Sequence, residues 1–404
     1  MFSKIRRIIR VLRSTRISFR IPKHVLIVQI HQDGLDTLQR YVKSSDISVV
    51  DPSELNFWIL LRCLLSGKFQ IKEYFAQAIT SHRPRMVITF IDNDVNFYLL
   101  KSVVPEPVFV AIQNGIRNNY SYQRKDGFID QLVKSGGSNQ LKADVVCTFG
   151  KSSSNLFEKY IQTKTLVTGN IKNNAMEIPS VIDSKYDIVF ISQHAPFDLV
   201  DRKEVMYLNN ASIPLSKFYE IESIVASFLA EYSQEHSLRF AISGKRDADD
   251  VFERRFFEKA IGGIPFTFLP RTDVHSSYVN GLSSHVVVVI DSTIGYELLS
   301  RGKKVAFFSA RMFDPSIDQS ELKDSFFGYP GSYPVSGPFW TNKSDHNDYA
   351  RILDSLLHMT DTQWASQIQP YTEDLMAYRP GNSEFIQMLQ GEGIPTRNEG
   401  SQRA

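Results

Sequence analysis

The feature that most constrains this chain is an alternation of short, solidly apolar runs with helical stretches. "HVLIVQI" (24–30), "DISVVD" (46–51), "RMVITFI" (85–91), "PVFVAIQ" (107–113), "ADVVCTFG" (143–150) and "TKTLVTG" (163–169) read as strands. Between them, the spacing predicts helices near 53–65, 70–81 and 95–103. Runs that are apolar at consecutive positions, rather than at every second one, need cover on both faces. Parallel strands sandwiched between crossover helices provide it.

The rhythm lapses over 171–185, "IKNNAMEIPSVIDSK", which reads as an interdomain linker, and restarts with "YDIVFIS" (186–192). Further strands are expected at "LRFAISG" (238–244), "FTFLP" (266–270), "HVVVVID" (285–291) and "KVAFFS" (304–309). Helices are expected near 216–235 and 250–260, and from 346 onward. A chain of 404 residues exceeds one ordinary core, so two domains are expected. The boundaries read as 1–22 for a basic arm, 23–175 for a first Rossmann-like domain, 186–345 for a second, and 346–404 for C-terminal helices and tail. The expected fold class is α/β, two Rossmann-like α/β/α domains facing a cleft.

Charge is unevenly spread. "MFSKIRRIIRVLRSTRISFR" holds seven basic residues and no acid, and the rest of the chain carries 39 basic against 44 acidic residues. Phe2, Ile5, Ile8, Ile9 and Leu12 share one helical face, with Arg6, Arg10 and Arg13 displaced from it. Such an arm suits an anionic membrane surface. A solvated basic tail and a nucleic-acid contact are the other readings, and the acidic body argues against nucleic acid. No apolar run reaches the length of a signal-peptide core or a spanning helix. Cys63 and Cys147 lie in apolar surroundings, which fits reduced core thiols better than a disulfide framework.

Ligands of open α/β sheets bind beyond the carboxyl ends of the strands. Here those ends are polar: "HQDG", "DND", "QNG", "SQH", "SGKR" and "DST". No strand is followed by a GxGxxG or GxxxxGK[ST] motif, which excludes the common dinucleotide and Walker-type sites. In "VVVVIDSTIGYELLSRGKKVAFF" (286–308), Ser292 and Thr293 are expected to cap a helix whose N-terminus favours phosphate. Gly295 is expected to let a ligand approach the backbone, and Glu297 to accept a ribose diol. Lys245 and Arg246 are the cations for the phosphate. An ordinary helix cap with a surface acid is the competing reading.

That stretch resembles the nucleotide-binding element of GT-B glycosyltransferases, and is similar to the corresponding element of teichoic-acid polymerases and nucleotide-sugar 2-epimerases. From "HQDG" through "TFIDNDVNFYLLKSV", "VAIQNGIR" and "VTGN" to "DSTIGYELLSRGKKVAFFSAR", the chain resembles bacterial surface-carbohydrate or O-antigen biosynthesis proteins. The resemblance implies a glycosyltransferase that moves a sugar from a nucleotide-sugar donor to a lipid-linked or oligosaccharide acceptor. It implies a cytoplasmic enzyme, peripheral on the inner face of the plasma membrane, with no cofactor beyond the donor and no bound metal. Ser292, Thr293 and Glu297 carry over to the donor nucleotide. Teichoic-acid polymerases have a histidine where this chain reads Gln113-Asn114-Gly115, so their general base does not carry over. A glycerol- or ribitol-phosphate transferase, a 2-epimerase and a non-catalytic assembly partner are the alternatives.

Three residues are candidates for acceptor activation. Asp92 and Asp94 follow a strand and suit a general base, a helix cap or a D-x-D metal site. His31, next to Asp33 in the loop after the first strand, is the third. His194 in "SQHAP" is a candidate contact to phosphate or sugar, and the aromatic run 327–340 to form a lid or to pack between domains.

Overall fold

The computed structural model describes residues 23–29, 32–51, 55–67, 70–117, 121–122, 126–136, 140–177, 183–194, 204–208, 211–247, 251–311, 326–328 and 333–397. The basic arm and His31 lie outside them. Strands in chain order are β1 (Val25–Val28), β2 (Ile47–Val50), β3 (Met86–Thr89), β4 (Val108–Ile112), β5 (Ser121–Tyr122), β6 (Lys142–Thr148), β7 (Gln162–Val167) and β8 (Tyr186–Ile191). They continue as β9 (Val205–Leu208), β10 (Ala211–Pro214), β11 (Phe240–Asp247), β12 (Thr267–Arg271), β13 (Ser284–Val289), β14 (Val305–Phe308) and β15 (Trp340–Thr341).

The chain divides into two compact units. Unit 1 takes the described residues of 1–114, 131–176 and 379–404, and unit 2 takes those of 115–130 and 177–378. Each contains a six-stranded, all-parallel sheet. In unit 1 the order is β2-β1-β3-β4-β6-β7. In unit 2 it is β12-β11-β8-β13-β14-β15. The expected α/β class and the two Rossmann-like sheets are therefore present.

Burial explains the apolar runs. β1, β3 and β14 are buried at every residue, because helices cover both faces of each sheet. Period-2 alternation sends Val25 and Ile27, Met86 and Ile88, and Val110 and Ile112 into one core. Phe385, Leu389 and Ile394 complete that core from residues 379–397, and Asn382 donates to Tyr41 Oη and to the Ile171 carbonyl, both at 2.9 Å. The helices His346–His358 and Asp361–Leu375 belong to unit 2.

Several elements depart from expectation. A three-stranded antiparallel sheet, β10-β9-β5, joins 205–214 to Ser121–Tyr122 within unit 2. The stretch 171–185 begins with a short helix, Ile171–Ala175, whose N-cap Asn170 accepts from the Lys172 amide. In the aromatic run, Phe327, Phe339 and Trp340 are core side chains, whereas Val335 is exposed. Phe327 stacks on Trp340 at 4.6 Å, Phe339 packs edge-on against Trp364, and the Tyr333 hydroxyl donates to Asp374, all inside unit 2. Both cysteines are buried and unbridged, and burial pushes the Cys147 thiol up to about 12.

Candidate functional site

In a doubly wound sheet the crevice opens where the strand order reverses. In unit 2 that point lies between β8 and β13, where Ser192-Gln193-His194 and Asp291-Ser292-Thr293 emerge side by side. The Asp291 amide donates to Gln193 Oε1 at 3.0 Å and joins the two loops. β11, the neighbour of β8, ends in Lys245 and Arg246.

One buried carboxylate shapes that end. Glu253 accepts from Ser192 Oγ at 2.6 Å, from the Lys245 amide at 3.0 and 3.1 Å, and from the Arg246 amide at 2.9 Å. It ties the loop after β8 to the carboxyl end of β11. Lys245 is exposed by surface area, yet loss of water around its ammonium pulls its pKa below the ordinary value, against the opposing Glu222 charge. Arg246 Nε is buried and donates to no partner among the described residues.

A second buried cluster lies behind the crevice. Arg311 grips both oxygens of Asp291, at 2.7 and 2.9 Å, and its Nη1 lies 3.7 Å from Glu222. Its guanidinium sits over the Phe218 ring at 4.4 Å. Glu222 is fully enclosed, and burial pushes its carboxyl up to about 7, with Arg311 opposing. None of this was expected from the chemistry-bearing motifs. A signal for Glu222 exists, since it falls on the apolar stripe Phe218, Ile221, Val225 and Leu229 of the helix Leu215–Glu235.

The helix Thr293–Ser300 starts as expected, but its start is built differently. Ser292 is the N-cap residue and its side chain makes no capping bond. Thr293 Oγ1 instead accepts from the Ile116 amide at 3.2 Å. Gly295 faces the sheet, not a ligand. A Cβ there would lie 2.5 Å from Val289 Cγ2 and 3.1 Å from Phe307 Cε1. Its lack of a side chain lets the helix settle on β13 and β14, which corrects the expected role. Gly295→Ala should cost about 1–3 kcal/mol through overpacking, read as a lower urea midpoint at unchanged slope. Glu297 is buried and accepts the Tyr278 hydroxyl. His194 is also buried, its ring stacked on Phe256 at 4.0 Å.

These details coincide with a match to known proteins. A family described as "putative O-antigen biosynthesis protein" matches residues 110–393. The chain belongs to that family. Among solved structures, this O-antigen biosynthesis protein is similar to the S. aureus MnaA–UDP co-structure, with 14% identity and a TM-score of 0.53 over 93% of this chain and 97% of that one. A histidine-to-alanine variant of the wall teichoic acid polymerase TagF is 9% identical, with a TM-score of 0.51 over 95% of this chain and 90% of that one. At such identities the likeness shows the fold, which is of the GT-B type. No curated protein matches the chain.

Unit 1 of this family member has its own reversal point, between β1 and β3. There Gln29 Nε2 donates to Asp94 Oδ2 at 2.5 Å. Asp94 Oδ1 accepts from the Asn96 amide at 3.0 Å, so Asp94 caps the helix Val95–Val103. Asp92 is 0% exposed, and its Oδ1 accepts from the Asn114 amide at 3.1 Å. The two aspartates thus have separate structural duties, and only Asp94 is a cap. Gln113, in the position of the missing histidine, is buried and accepts from the Phe149 amide at 2.8 Å. Among the described residues no three His, Cys, Asp or Glu side chains form a metal-holding group.

Proposed function

We propose that the protein is a glycosyltransferase that moves a sugar from a nucleotide-activated donor to a lipid-linked or oligosaccharide acceptor in O-antigen or a related surface glycan. The observation that supports this best is the end of β11. Arg246 presents a buried Nε with no acceptor among the described residues, next to a partly desolvated Lys245. Buried donors are satisfied in nearly all proteins, and a phosphate oxygen would satisfy this one. Lys245, Arg246 and the start of the helix at Ser292 and Thr293 would then stabilise the charge that builds on the leaving phosphate.

Glu297 would share its carboxylate between Tyr278 and the ribose diol of the donor. Acceptor activation falls to Asp94 more readily than to Asp92, because Asp92 is sealed from solvent while Asp94 is partly exposed at the reversal point of unit 1. The basic arm would hold the enzyme on an anionic inner leaflet, near a lipid-borne acceptor. A uridine nucleotide is the first ligand to try, since the similar MnaA structure is a co-structure with UDP.

The test is a thermal-shift panel of CMP, CDP, UDP, GDP and ADP on the full chain and on Glu297→Gln. The glutamine keeps an acceptor for Tyr278 and removes the charge offered to the ribose. At a hundredfold excess over Kd, one nucleotide should stabilise the wild type by about 2.7 kcal/mol. The variant should bind it roughly tenfold more weakly, as expected for loss of a charged hydrogen bond. No stabilisation by any nucleotide at millimolar concentration would overturn the reading. With a donor in hand, the mass of the product separates sugar transfer from transfer of a polyol phosphate, and a product formed without acceptor would point to epimerisation.

A further inference from the structure

The helix Phe57–Leu65, "FWILLRCLL", is apolar on both sides. Ile59 and Cys63 turn inward and are buried. At 100° per residue, Leu64, Phe57, Leu61, Leu65 and Trp58 follow one another around the opposite face, with Arg62 at its edge. That outward face is open to solvent, Trp58 at 41% exposure, Leu64 at 57% and Leu65 at 81%. Ile71, at the start of the next helix, is exposed as well. Phe57 and Trp58 meet edge to face at 5.5 Å and present one aromatic wedge. A helix apolar all round is ordinarily buried on all sides, and exposed patches of this kind mark docking surfaces.

We propose that this face of unit 1 docks on an anionic phospholipid bilayer, independently of the basic arm and of the transfer reaction. Charge complementarity selects the partner. Residues 55–72 contain Arg62, Lys68 and Lys72 and no carboxylate. Glu54 and Glu73 border that stretch, and Glu73 lies close enough to buried Cys63 to help raise its thiol pKa, after the larger effect of burial. Tryptophan, phenylalanine and leucine beside arginine and lysine are the residues of helices that lie in the headgroup layer. Nine residues are far too few to cross a bilayer, and no described helix is long and apolar enough to do so. The helix therefore lies in the membrane surface.

The chain supplies its own probe. Of its three tryptophans only Trp58 is exposed, Trp340 and Trp364 being buried. The full chain should be mixed with vesicles of phosphatidylethanolamine and phosphatidylglycerol whose acyl chains carry bromine. Tryptophan emission should shift to the blue and be quenched, and Trp58→Phe should abolish the quenching. With the arm intact, the double variant Leu64→Ser, Leu65→Ser should bind at least roughly tenfold more weakly. Leu65→Ser alone tests the idea if the double variant melts early. Flotation with vesicles while Trp58 stays unquenched would overturn the proposal and leave the arm as the only anchor. So would absence of binding, or a concentration-dependent dimer broken by Leu65→Ser, which would make the face a contact between copies.

Discussion

Arg311→Leu should lower the unfolding free energy of unit 2 by about 3–5 kcal/mol at pH 8, the effect of breaking a buried ion pair by removing one partner. The guanidinium holds both oxygens of Asp291, lies 3.7 Å from Glu222 and donates to the Phe218 carbonyl. Leucine would fill part of the space and leave two carboxylates without their cation. Lysine would not replace it, because one ammonium cannot match the planar fork on Asp291. The penalty should shrink toward pH 5, where the stranded carboxylates take up protons. Glu222 sets a related pH dependence in the wild type. Its carboxyl is raised from an ordinary 4.5 to about 7, so the folded protein holds a proton that the unfolded chain has released. The stability this gives is complete below about 4.5 and is lost as pH rises through about 7. Glu222→Gln should flatten that slope. Urea unfolding at pH 5, 6.5 and 8 reads both effects, and an Arg311→Leu penalty independent of pH would show that charge pairing is not its origin.

Lys245→Met should reduce turnover by about a hundredfold with a smaller change in KM, the usual result of deleting one donor that faces charge in the transition state. The substitution keeps the length of the stem and removes only the ammonium. Glu253 would still hold the backbone of Lys245 and Arg246 through its three bonds to their amides, so the loop should keep its shape. Release of nucleotide from the donor found by thermal shift measures turnover, and the same shift measures binding. Full turnover in Lys245→Met would remove this end of β11 from the reaction.

Much of the fold is legible in the sequence because burial on both faces leaves a plain mark. Every apolar run read as a strand lies on one, and the helix expected near 95–103 spans Val95–Val103. The antiparallel pair β9 and β10 left no comparable mark, being two four-residue strands within the mixed segment "VMYLNNASIP". The helix Lys151–Tyr160 opens on "KSSS", a polar turn that hides its apolar face. At the candidate site, residue types at strand ends located the crevice but not the bonding inside it. Serine before a helix suggests a cap, yet Ser292 makes no capping bond. Glycine in a first turn suits close approach of a ligand or of a sheet, and only the position of Val289 decides between them at Gly295. Arg311 was missed because its partners lie 20 and 89 positions away in the chain, a distance no local spacing encodes.

The return of residues 379–397 to unit 1 sets the order in which the protein can be made. Unit 2 has its last residue at 378, whereas the first-made unit waits for Phe385, Leu389 and Ile394 to close its core. The bond between Asn382 and Tyr41 spans 341 residues. At a ribosomal rate of about 5–20 residues per second, that separation corresponds to roughly 17–70 s of elongation. Throughout that interval the nascent chain exposes the unfinished side of its leading half, and chaperones have their longest opportunity there. The half that is begun first is finished last.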